Sequence, residues 1–312
     1  MARRAAARRR RTGRRPRPAG TRRHLTTPAR LGTPSPGAQP RGTVILTESR
    51  AGSVAAALSR RKLVHDLVRL GVRPGTVLHV QASLRALGPV DGGADTVVDA
   101  LLDVLGDRGT LVAYTATPEN SATSRIHKAA TAGLSPAEVT AYQARMPPFD
   151  PDATPCSTTM GALSETVRTR PGALRSSHPQ TSWAALGRHA REITHDHPLT
   201  SHLGPASPLG RLYDLDARVL MLGVPMSRFT AFHLADQRMP DVPLREYHCA
   251  GPDGWITFKA PDLDDLHFGS LGERFLAEAR QVTTGRIGGA DCRLVPVREA
   301  VDLAEHLLRR HR

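Results

Sequence analysis

Apolar positions along the chain fall into two kinds of run. Between Ser53 and Leu70 they return every third to fifth position, at Val54, Leu58, Leu63, Leu67 and Leu70, which sets them on one helical face; Gly71 and Pro74 supply the stop. Thr76 to Val80 is a short run that reads as a buried strand. Asp91-Gly92-Gly93-Ala94-Asp95-Thr96 then precedes a second helical series, Val97, Val98, Leu101, Leu102 and Leu105, ended by Gly106. Gly109 to Tyr114 reads as another strand. Helix, strand, helix and strand in close succession predict an α/β fold with a layered sheet flanked by helices.

Further on, Val219 to Val224 and Trp255 to Lys259 read as strands, and Phe268 to Ala279 and Val297 to Leu308 as helices. Between them, Thr115 to Pro155 shows little periodicity and much Pro, Thr and Ala, the composition of a long functional loop or lid. No internal repeat is present. The expected organisation is an Arg/Pro-rich disordered tail over residues 1–43 and a single domain over residues 44–312.

Charge changes that picture only at the start. The chain carries a net charge of +14, but residues 1–41 hold 13 of the 43 basic residues and no acidic one, which leaves 30 basic against 29 acidic side chains. Nucleic-acid binding, if any, is therefore expected through the tail alone. Such a tail buries too little apolar surface to offset the entropy of ordering. Cys156, Cys249 and Cys292 are odd in number and lack metal-ligand spacing, which argues against a disulfide framework or zinc and fits a cytoplasmic protein. No apolar run reaches the roughly 18 to 20 residues of a membrane span.

Three groups of residues carry chemistry. His79-Val80-Gln81-Ala82-Ser83-Leu84 followed by Gly92-Gly93 before a helix offers free backbone N–H groups and a positive dipole end, suited to a phosphate. The same residues also read as a strand, a turn and an ordinary capped helix. Pro148-Phe149-Asp150-Pro151, Met160-Gly161 and Arg175-Ser176-Ser177-His178-Pro179 form a second polar stretch. Thr230, His233 and Asp236 follow an apolar strand, at the carboxyl end where open α/β sheets build their sites. His233 and Asp236 are three apart on one helix face, so the carboxylate can orient the imidazole. An incidental helical pair would look the same.

Taken in order, these segments resemble the aminoglycoside 3-N-acetyltransferase family. The likeness runs from about residue 53 to 310 and includes Gly109-Thr110-Leu111-Val112, Ser207-Pro208-Leu209 and Gly285 to Ala290. It implies a mixed sheet unlike that of the GCN5-related acetyltransferases. It also implies transfer from acetyl-CoA, as co-substrate and without metal, to the 3-amino group of a deoxystreptamine ring, hence antibiotic resistance. Another amine is the alternative substrate, and a homodimer one option for assembly. By the resemblance, His233 is the catalytic residue, with Asp236, where the family usually has Glu, and Thr230 beside it. Ser83, Leu84, Gly92, Gly93, Met160, Gly161, Arg175 and His178 are expected at the CoA site.

An amine must lose a proton to attack a thioester, and a base with a pKa near 7 suits that task. Residues 230–280 hold nine acidic side chains against five basic ones. This is an expected match to a polycationic substrate, although a solvated acidic face has the same composition.

Overall fold

The computed structural model describes residues 56–310. The expected tail, and the start of the first helix at Ser53, lie outside those residues. The first helix as described is Arg60–Leu70, capped by Ser59 accepting from the Lys62 N–H and ended by Gly71 in the left-handed region.

Among the described residues, seven of nine strands form one mixed sheet. In chain order the strands are β1 Val77–Ala82, β2 Thr110–Tyr114, β3 Leu174–Arg175, β4 Trp183–Gly187, β5 Arg218–Leu222, β6 Leu244–Gly251, β7 Gly254–Pro261, β8 Thr283–Ile287 and β9 Ala290–Pro296. The large sheet runs β3-β4-β2-β1-β5-β9-β8, and β6 pairs with β7 in a separate hairpin. At its centre β1 is parallel to both β2 and β5, while β4 and β9 join those neighbours antiparallel.

Both faces of the sheet are covered, which is why its central strands are nearly continuous apolar runs. Alternation assigns the side chains. Leu78, Val80, Leu111, Ala113, Leu220 and Leu222 pack against Leu63, Leu67, Val98 and Leu101 from the Arg60–Leu70 and Gly93–Leu105 helices. Val77, Val112, Val219, Met221 and Trp183 meet Phe232, Phe268, Phe275 and Val301 on the other face. The expected helices at 268–279 and 297–308 are Phe268–Glu278 and Val297–Arg309.

Residues 115–155 depart from the expectation of a featureless loop. They contain the helices Arg125–Ala130 and Pro136–Ala144, the latter opened by a reciprocal capping box between Ser135 and Glu138. Hydrophobic periodicity does not reveal the second helix, because none of its residues is buried. The segment is tied to the hairpin where Ser121 bridges Cys249 and Arg245 donates to the Thr123 carbonyl at 2.8 Å.

Candidate active site

The carboxyl ends of β1, β2 and β5 emerge side by side. Register pairs His79 with Val112 and Val219, so two residues on Gln81 and Tyr114 point to that same face. Beyond β5 the chain turns at Gly223, in the left-handed region, where a side chain would collide with Ala86. It then runs through a short 3-10 turn to Thr230 and into the Phe232–Gln237 helix. This delivers Thr230 and His233 to the end of the strand, as expected.

Gln81 locks that delivery. Its carboxamide donates to the Arg228 carbonyl at 2.7 Å and to Thr230 Oγ1 at 3.0 Å, while its oxygen accepts from the Thr230 N–H at 3.2 Å. With both amide protons and the oxygen used, the side chain acts as a clamp. The Thr230 hydroxyl accepts in this arrangement and keeps its own proton free to donate.

Two cavities open here, of about 570 and 440 Å³. The first is walled by Gln81, Ala82, Met160, Ser227 and Thr230; the second by Gln180, Tyr247, Asp262 and Asp264. They share Tyr114, Ile126, Met160, His233 and Asp265. His233 thus stands where the two spaces meet, its ring packed on Phe268 at 4.6 Å between centroids. Burial pulls its pKa down to about 4, opposed by the nearby carboxylates of Asp236 and Asp265. This is below the value near 7 expected for the base, and it keeps the imidazole neutral at physiological pH.

The expected pairing of His233 with Asp236 is not formed. His267 Nε2 donates instead to the Asp236 carboxylate at 3.1 Å, and that hydrogen bond raises the pKa of His267. Both residues do share the short helix, but the Phe268–Glu278 helix brings His267 to the carboxylate while Phe268 takes the His233 ring. Asp236 therefore acts on His233 through space, by its charge.

The residues expected to hold CoA divide. Met160 lines both cavities, and Gly161 lies beside the Ala82 carbonyl, 3.9 Å from where its Cβ would sit. Ser83 and Leu84 follow the cavity wall in sequence, but the Ser83 N–H is spent on the Leu222 carbonyl and Leu84 packs with the helices behind the sheet. Gly92 and Gly93, both at positive φ, open the Gly93–Leu105 helix away from either cavity lining.

Arg175 and His178 belong to the framework. The Arg175 guanidinium donates to Thr115 O at 2.8 Å, Ser182 Oγ at 3.0 Å, Pro151 O at 3.3 Å and Thr154 O, above the Phe149 ring. Four of its five N–H groups are spent in this way, and burial lowers its pKa to about 10. Fully buried His178 accepts from the Gln180 and Thr181 N–H groups at Nδ1, and its Nε2 donates to the Leu199 carbonyl. It shapes the turn carrying Gln180 into the second cavity.

Tyr114 and Arg228 are among the wall residues that the sequence did not single out. The strand alternation that faces Gln81 to the site also faces Tyr114, a signal available once register is known. Among the described residues, no group of His, Cys, Asp or Glu side chains is placed to hold a metal ion.

Residues 79–309 match the family model described as Aminoglycoside 3-N-acetyltransferase. The chain belongs to the aminoglycoside 3-N-acetyltransferase family. It is similar to the SPbeta prophage-derived aminoglycoside N(3')-acetyltransferase-like protein YokD of Bacillus subtilis, 34% identical over 79% of this chain and 91% of that protein. It is 33% identical to aminoglycoside N(3)-acetyltransferase VII of Streptomyces paromomycinus, over 78% of this chain and 89% of the relative. The fold superposes on the YokD crystal structure with a TM-score of 0.77 at 32% identity, covering 83% of this chain and 96% of that one. It also superposes on AAC-IIIb bound to CoASH with a TM-score of 0.69, at 32% identity over 82% and 97% of the two chains. On sisomicin-bound AAC-VIa the score is 0.70, at 29% identity over 82% and 98%. As a member of this aminoglycoside 3-N-acetyltransferase family the chain is an acetyl-CoA-dependent N-acetyltransferase, and its mixed sheet is that family's fold.

Proposed function

We propose that this acetyltransferase seats the acetyl-pantetheine end of acetyl-CoA in the larger cavity and an aminoglycoside in the smaller, with His233 as the base between them. The observation that carries this reading is that His233 lines both spaces. Transfer then needs no acyl-enzyme, because the thioester is already activated and two substrates held at one junction gain the advantage of proximity.

Each group has a task. The smaller cavity is lined by Asp262, Asp264 and Asp265, carboxylates that suit a polycation. Asp265 is itself flanked by Arg125 at 3.6 Å and Arg228 at 3.5 Å, so its charge is shared. As the amine nitrogen bonds to the thioester carbon, neutral His233 takes the N–H proton, and the carboxylates of Asp236 and Asp265 stabilise the imidazolium. Thr230, fixed by Gln81, donates its hydroxyl to the developing oxyanion. The C–S bond breaks, its electron pair goes to sulfur, and the proton passes from His233 to the thiolate.

Acetylation of an aminoglycoside at this position is a resistance activity, and we place it in the cytoplasm, where acetyl-CoA is made and where three buried free thiols stay reduced. Among the described residues no helix is long and apolar enough to cross a membrane. Mass detection of acetylated product from a panel of aminoglycosides with acetyl-CoA tests the reading. A mono-acetylated deoxystreptamine at the 3-amino group is expected; no product from any aminoglycoside while other amines are acetylated would overturn the substrate assignment.

A further inference from the structure

We infer that Tyr114 is a second oxyanion donor, a catalytic residue whose phenol hydrogen-bonds the thioester carbonyl oxygen as the tetrahedral intermediate forms. The inference rests on the proposed reaction at His233. Five residues line both cavities, Tyr114, Ile126, Met160, His233 and Asp265. Three of them have polar ends, and the chemistry at the junction asks for three things: a base, a negative charge beside a cationic amine, and a donor for the new oxyanion. His233 and Asp265 serve the first two. Tyr114 is the only one left that can donate.

Its placement fits that task. Tyr114 ends β2 and points to the same face as Gln81 on adjacent β1, whose carboxamide holds Thr230. Its ring is fixed against Trp183 at 4.9 Å between centroids, which leaves little freedom for the hydroxyl to swing away. That hydroxyl has no protein hydrogen-bond partner among the described contacts, although Tyr114 is only partly buried and packed at the edge of the core. A phenol held rigidly at a reaction junction with its proton unspent is preorganised for a charge that appears only during the reaction. Burial and the neighbouring Tyr247 raise its pKa further, so it stays protonated. Through the whole cycle Tyr114 keeps its proton. The C=O π pair moves to the oxygen between the Tyr114 and Thr230 hydroxyls, returns as the C–S bond breaks, and the amine proton travels by His233 to sulfur.

The test is thiol release by wild type, Tyr114→Phe and a variant carrying 3,5-difluorotyrosine at position 114, on an amine the wild type acetylates. Phe keeps the packing against Trp183 and removes only the donor. It should lower kcat by about 10²-fold, the scale of one oxyanion-hole donor, with KM for both substrates within about twofold and the same melting temperature. The fluorinated phenol should restore most of the rate at neutral pH and then lose it as it ionises, a basic limb at lower pH than wild type shows. A merely structural tyrosine would produce no such limb. Tyr114→Phe within about threefold of wild type, or a difluorotyrosine profile with no new limb, overturns the proposal. Should Tyr114→Phe fail to fold, the fluorinated variant decides by itself. His233→Ala in the same assay reports separately on the underlying reaction, since full turnover there would remove the base while leaving the Tyr114 comparison intact.

Discussion

The two walls of the reaction space are built by different means. The wall shared by β1, β2 and β5 is covered on both sheet faces, and its functional groups are held in place by packing, as Tyr114 is against Trp183, or by hydrogen bonds, as Thr230 is by the three contacts of Gln81. The opposite wall comes from residues 118–128 and the β6–β7 hairpin, whose strands are buried at only five of their sixteen positions. It carries Asp262, Asp264 and Asp265 on a connection after β7. Close packing transmits small displacements, so the first wall suits bond making, which tolerates little misplacement. The second, held by fewer buried contacts, suits recognition of a large polar cation.

Breaking the first wall should cost most. Thr230→Val removes the hydroxyl proposed for the oxyanion and retains the shape, so kcat should fall by about 10²-fold with little change in KM; a fall confined to KM would move Thr230 to the binding side. A second consequence of the packed interior is acid lability. His79 and His197 are pulled to about 4 and His202 to about 3 by burial, and His178 well below its usual 6.5. Below 6.5 the unfolded chain binds protons that the folded one refuses, so stability falls as pH drops from 6.5 toward 4, by about 1.4 kcal/mol per pH unit for each such histidine. Denaturant melts at pH 7.5 and 5.5 should differ by several kcal/mol, and His79→Phe should flatten that slope; equal midpoints for wild type at both pH values would contradict it.

The same contrast governs what was legible in the sequence. β1, β2 and β5 are visible because burial on both faces makes them apolar runs, and Thr230 and His233 are visible because they follow one of them. β4 went unread, since Trp-Ala-Ala-Leu-Gly offers mainly small residues, and so did β8, an edge strand with Thr and Arg at its exposed positions. The Pro136–Ala144 helix escaped because nothing in it is buried. Arg175 and His178 are expected at the CoA site only through the family resemblance of the Arg175 to Pro179 segment. What ties them to the framework is that most of their hydrogen-bonding groups are spent on backbone groups and hydroxyls, a property of the fold. Asp236 shows the limit of local spacing: helical periodicity put it beside His233, but a histidine 31 positions away took the hydrogen bond.

The second wall should respond more gently. Asp264→Asn keeps the bond that Asp264 accepts from the Leu266 N–H at 3.0 Å and removes only a charge. KM for the aminoglycoside should rise by about fivefold or less, in line with an exposed ion pair, with kcat and KM for acetyl-CoA unchanged. A loss of kcat instead would place Asp264 in the chemistry. Smaller still is the effect of Asp236→Asn. His267 should lose its raised pKa, observable by NMR titration, because the carboxylate that holds its proton is gone, while turnover drops by about threefold as His233 loses a stabilising charge. An unchanged His267 titration would show that the pair does not form in solution.

The most direct test of a single base standing between two cavities is His233→Ala, examined by single-turnover acetyl transfer together with calorimetric Kd values for CoA and the aminoglycoside. The predicted result is that both substrates bind within about twofold of wild type while transfer slows by at least about 10²-fold, the range of a general base. Transfer at the wild-type rate, or a loss explained wholly by weakened binding, would contradict it.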